Sequence, residues 1–98
     1  MDTTVSKLIL LYVFGQMEIP VTHETLNEMC CSQNSWITYM TLTQILPELV
    51  QARFIVSTSS AGMDYYKITQ EGHDCLNFFY MKIPSSTRKE IDAYIKKN

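Results

Sequence analysis

"TLTQILPELVQAR", Thr41 to Arg53, decides how this chain is read. Projected at about 100° per residue, Leu42, Ile45, Leu46, Leu49 and Val50 fall within roughly 140° of one another, a continuous apolar stripe that suits a helix sealing a core. The opposite face carries Thr43, Gln44, Pro47, Glu48 and Gln51. Thr41 and Gln44 have the capping-box spacing, in which the hydroxyl serves one free amide and the glutamine reaches back to another, so a helix is expected near 42–52. Pro47 removes one helical amide and crowds the carbonyl of Thr43, at ~3 kcal/mol in a helix interior. Because the stripe runs unbroken through Pro47, one kinked helix is expected rather than two short ones.

Working outward, Val5, Leu8, Ile9, Leu11, Tyr12 and Val13 recur at helical spacing, and Gly15 stands where a C-cap glycine would end a first helix near 4–15. Pro20 forbids helix across the connection, and Thr22 offers a capping hydroxyl to a second helix near 22–32 that aligns Leu26, Met29 and Cys30. "WITYM", residues 36–40, is aromatic and β-branched and predicts a short strand. Beyond Arg53, "RFIVSTSS" and "MDYYKIT" are β-prone runs joined around Gly62, which predicts a hairpin near 54–68. Thr69 caps a helix expected near 70–82. Pro84, Ser85 and Ser86 open another near 86–97, with Ile91, Tyr94 and Ile95 as its stripe. The aromatic residues Tyr65, Tyr66, Phe78, Phe79 and Tyr80 are read as core packing rather than a ligand-stacking patch.

Three helices with a small strand between the second and third, then a hairpin and two further helices, is the order of the winged helix-turn-helix. The expected class is α+β, mostly α, with residues 1–98 as a single winged-helix domain. The segments "TLTQILPELVQARFI" and "YYKITQEGHDCL" resemble the recognition helix, wing and T-x-x-G helix start of PadR-like and MarR-like regulators. The whole chain, including "IPSSTRKEIDAYIKKN", is more similar still to a functionally uncharacterised family of small winged-helix proteins of low-GC Gram-positive bacteria. That resemblance implies a second small domain after this one, so the chain is expected to be an N-terminal domain. Arg53 departs from the pattern, standing where such regulators usually place a glycine. A positive φ there would carry a modest strain.

Composition bounds the alternatives. The 98 residues are 46% hydrophobic, enough for one core. The longest apolar run, Leu8 to Phe14, falls far short of the ~20 residues that cross a bilayer, and Asp2 argues against a secretory leader. A cytoplasmic protein with no membrane contact is expected. Cys30, Cys31 and Cys75 form no spacing that preorganises a metal with His23 and His73, so reduced thiols without metal or cofactor are expected, at least two of them buried. His73 beside Glu71 and Asp74 suits a helix first turn rather than catalysis. No nucleophile elbow, phosphate-binding glycine loop or metalloprotease motif is present, which argues against an enzyme.

The charge is unevenly spread. Residues 1–35 set Lys7 against Asp2, Glu18, Glu24 and Glu28, a net of -3. Residues 36–81 set Arg53 and Lys67 against Glu48, Asp64, Glu71 and Asp74, a net of -2. Residues 82–98 set Lys82, Arg88, Lys89, Lys96 and Lys97 against Glu90 and Asp92, a net of +3.

Two readings of function follow. In the first, the chain is a DNA-binding transcriptional regulator. Thr41, Thr43, Gln44 and Gln51 would face double-stranded DNA, the glutamines contacting adenine edges, and Arg53 and Lys67 would neutralise phosphates. In the second, it is a protein-interaction or dimerisation module without significant DNA affinity. The near-neutral helix, the acid at Glu48 and a wing without arginine favour that alternative. A homodimer is expected through Leu8, Tyr12, Ile91, Tyr94 and Ile95, because helix one is apolar nearly all round and helix five has a narrow stripe to cover. Packing of helix five on helix one within one chain is the alternative.

Overall fold

In the computed structural model, which describes residues 3–17 and 19–97, the chain opens with α1 (Thr4–Gln16). The two-residue strand β1 (Val21–Thr22) leads into α2 (His23–Asn27) and a π-helical turn over Glu28–Ser32. Helix α3 (Tyr39–Gln51) is followed by a hairpin of β2 (Ile55–Ser60) and β3 (Met63–Ile68). Helix α4 (Gln70–Phe78), a 3-10 turn over Tyr80–Lys82 and α5 (Ser85–Lys97) complete it. The sheet is antiparallel in the order β1-β3-β2. The described residues thus form an α+β, mostly helical domain of five helices and one small sheet, compatible with a winged helix-turn-helix.

Seven consecutive side chains of α1, Leu8 to Phe14, are buried, so this helix needs neighbours on every side. It has them: α3, α4, α5, β3 and the 3-10 turn all pack against it. The expected excess of apolar surface on helix one is therefore met inside the chain. Tyr12 donates to Asp92 Oδ1 at 2.6 Å, and Gln16 Nε2 reaches the same oxygen at 2.8 Å, which holds α5 on α1. Gly15 is not a left-handed cap, since the helix runs on to Gln16 and only Gly62 among the glycines has positive φ. What Gly15 supplies is proximity: a Cβ there would stand 3.3 Å from Leu76 Cδ2 of α4.

The expected strand over "WITYM" is absent. The amides of Trp36 and Ile37 both bond the Cys30 carbonyl, at 3.1 and 3.3 Å, and so cannot enter a ladder. Thr38 then caps α3, its hydroxyl accepting from the Thr41 amide at 3.2 Å. The helix consequently starts at Tyr39, ahead of the Thr41 capping box expected. The short strand lies instead at β1, where Val21 and Thr22 pair with Tyr66 and Tyr65. Pro47 sits inside a single helix, as the unbroken stripe required. Helix two leaves α geometry at Glu28, and the fourth helix stops at Phe78 rather than near 82. Ile83, buried to 1%, pins the connection to α5.

The hairpin turn is two residues, Ala61 and Gly62, at φ 52° and 79°, joining Ser60 to Met63. Both values are left-handed, as the tight turn that matches strand twist demands. At the other end, Thr69 caps α4 by accepting from the Gly72 amide at 3.0 Å, while its own hydroxyl donates to the Arg53 carbonyl at 2.7 Å. Gly72 is required by contact: a Cβ would lie 2.1 Å from the Phe54 carbonyl oxygen.

Candidate nucleic-acid interface

The exposed face of α3 is built from Met40, Thr43, Gln44, Pro47 and Gln51, with Tyr39 at its start. Leu42, Ile45, Leu46 and Leu49 turn inward and hold the helix in the core, which leaves this face toward solvent. Tyr39 and Met40, 55% and 83% exposed, were hidden from sequence reasoning by the apparent strand. The signal that could have found them is Thr38 three residues ahead of Thr41, a capping spacing one turn earlier.

Glu48, which its sequence position set on that exposed face, is engaged by a neighbouring helix. It is only partly exposed and pairs with Lys7 Nζ of α1 at 3.0 Å. The pair is open to solvent and contributes little to stability. Its consequence is electrostatic, because it cancels the one acid of α3 locally.

The six residues expected to meet DNA do not share one surface. Thr43 and Gln51 line a cleft of about 450 Å³ between α3, the start of α2 and the hairpin, together with His23, Pro47, Ser57 and Tyr66. Gln44 is exposed on the same side of α3. Thr41 is half-buried on another flank, its hydroxyl accepting from Thr38 at 2.9 Å, and so stands apart from the exposed face. Lys67 is exposed but pairs with Val56, and strand alternation sets those two on the sheet face opposite Ser57 and Tyr66. Lys67 therefore flanks the cleft from outside rather than entering it.

Arg53 is exposed at the C-terminal end of α3 with φ 66°. Its amide bonds the Val50 carbonyl and that of Phe54 bonds Leu49, both at 3.0 Å, the paired bonds of a Schellman ending. The side chain of Arg53 is thereby aimed by a left-handed residue between α3 and the wing.

The residues expected at a dimer interface are mostly consumed within the chain. Leu8, Tyr12 and Ile91 are 4%, 6% and 0% exposed, with α5 packed on α1. Tyr94 and Ile95 are half-buried against the core. The aromatic residues at the end of α4 depart from expectation the other way. Phe78 and Met81 are 81% and 84% exposed, and Phe79 is 37% exposed with Lys82 over its ring; Phe78 stands about 200° round α4 from the buried Leu76.

All three cysteines are free thiols, but only Cys30 is buried; Cys31 and Cys75 are intermediate. Burial pushes the Cys30 thiol up to about 12, and it raises Cys31 and Cys75 as well. Each is held away from the reactive thiolate. Among the described residues no three His, Cys, Asp or Glu side chains gather as metal ligands, and no helix is long and apolar enough to cross a membrane.

Set beside known proteins, residues 6–98 match a family model described as Domain of unknown function (DUF4364). No curated protein and no solved structure matches the chain.

Proposed function

We propose that the chain, which belongs to the DUF4364 family, is a winged-helix DNA-binding domain of a cytoplasmic transcriptional regulator, of the PadR-like and MarR-like kind its sequence resembles. The observation that carries this reading is the exposed face of α3. Thr43, Gln44 and Gln51 stand there together, and Glu48 is drawn aside to Lys7. Amide side chains can bond adenine edges, and a threonine methyl can meet that of thymine. Arg53 supplies phosphate contact at the end of α3, and Lys67 supplies it from the outer face of the hairpin. Two cations support only a shallow dependence of log K on log salt, with a slope of about -2 per domain.

The test is binding of a random-sequence duplex pool across a salt series. Charge reversal in Arg53→Glu and Lys67→Glu should weaken binding and flatten the slope. Unchanged affinity and slope in both variants would sink the reading. A second reading, a protein-interaction or homodimerisation module, is favoured by the exposed Met40, Phe78 and Met81. No duplex binding at low salt, together with self-association lost in Phe78→Asp, would select it.

A further inference from the structure

A separate cleft of about 520 Å³ opens between the end of α1, α2 with its π-turn, and the end of α5. Its size lies within the range of small-molecule pockets. Met17, Met29, Tyr94 and Ile95 give it apolar walls, and Glu28 is the single charged side chain on its described lining. Among the described residues no lysine, arginine or histidine lines it. The carboxylate is held in a relay across the cleft. The Tyr94 hydroxyl donates to Gln33 Oε1, and Gln33 Nε2 donates to Glu28 Oε1 at 3.1 Å. Gln33 thus accepts a hydrogen bond from α5 at one end and donates one to the π-turn at the other.

We propose that this cleft binds a small organic cation with an apolar body, its ammonium group at Glu28 and its body against Met17, Met29 and Ile95. Charge decides the class. An anion would meet an uncompensated carboxylate, whereas a cation supplies what the lining lacks. The two methionines are flexible and polarisable and adapt to the shape of an apolar group. The π-turn matters to the geometry, because the register change at Glu28 sets Glu28, Met29 and Gln33 on the lining together. Such turns recur at functional sites in helices. An occupant would bridge α5 to the second helix, and this binding stands whether or not α3 reads DNA.

The chain carries its own reporter, since Trp36, the one tryptophan, meets Tyr94 edge-on with ring centroids 5.8 Å apart. The full chain is titrated with benzyltrimethylammonium, with benzoate as the anion of similar size, and followed by tryptophan fluorescence and by calorimetry. The expected result is saturable binding of the cation, about tenfold or more tighter than benzoate. Glu28→Gln should weaken the cation about tenfold, while Glu24→Gln, on α2 but outside the lining, leaves it unchanged. Ile95→Ala should weaken the cation through its apolar body and keep the preference over benzoate. Absence of saturable heat, benzoate binding as tightly as the cation, or a Glu28→Gln variant that folds and binds like the wild type would each overturn the proposal.

Discussion

Arg53 holds a left-handed backbone at φ 66° that a non-glycine residue adopts at a cost of about 1 kcal/mol. Among the described residues the Arg53 side chain makes no hydrogen bond or ion pair that would offset that strain. What keeps the conformation is the backbone around it: the Schellman bonds to Val50 and Leu49, and the Thr69 hydroxyl on the Arg53 carbonyl. Arg53→Gly relieves that strain and gives part of the gain back as greater freedom of the unfolded chain, so it is expected to raise stability by about 0.5 kcal/mol, read as a slightly higher urea midpoint with unchanged slope. The same variant should weaken duplex binding, because it deletes a cation from the surface beside α3. A drop in stability would mean that the arginine side chain contributes to the fold in a way its exposure conceals. Strain at a residue that carries charge toward a candidate interface is an expected pattern for functional positions.

Helix α3 keeps its course through Pro47 because its apolar side is fully engaged: Leu42 and Ile45 are 0% exposed, Leu46 3% and Leu49 2%. The proline lies on the exposed side and withholds the amide that would bond the Thr43 carbonyl. Packing of the apolar face outweighs that loss. Pro47→Ala restores the missing bond without disturbing the core, and it is expected to stabilise the domain by about 1–3 kcal/mol in denaturant unfolding. Equal or lower stability in the variant would show that the helix is shaped around the proline. The second helix shows the reverse balance. Its register shifts at Glu28, and the chain leaves by way of the Asn34 side-chain Nδ2 on the Met29 carbonyl and the Trp36 and Ile37 backbone amides on that of Cys30.

At the scale of the molecule, the packing of α1 at the centre links stability to alkaline pH. Burial, then the hydrogen bond to Asp92, pushes the Tyr12 hydroxyl from 10.0 to about 12, and burial pushes the Cys30 thiol from 9.0 to about 12. Both groups are held protonated in the folded state. In the unfolded chain they ionise near their ordinary values, so the stability they contribute is complete below pH 9 and is lost as pH climbs from 9 toward 12. Urea midpoints should be level up to about pH 9 and then fall. Tyr12→Phe should flatten the part of that fall above pH 10. A profile that stays level to pH 12 in the wild type would contradict the burial of both groups.

Local chemistry in the sequence determined a good deal. The helical period of the stripe from Leu42 to Val50, the caps at Thr22 and Thr69, and the turn around Gly62 each act within a few residues, and each stands in the structure as expected. Tertiary structure decided the rest, because competition among distant partners has no local signature. "WITYM" has strand propensity, yet the Cys30 carbonyl and the Thr38 cap take its backbone, while Val21 and Thr22 take the sheet edge beside β3. That helix five packs on helix one within the chain was open in the sequence, and Asp92 bonding Tyr12 and Gln16 shows it. The candidate interface divides in the same way. The side chains of α3 could be assigned to a face from their spacing alone, but the removal of Glu48 to Lys7, of Thr41 to Thr38 and of Lys67 to the far side of the hairpin needed the assembled fold.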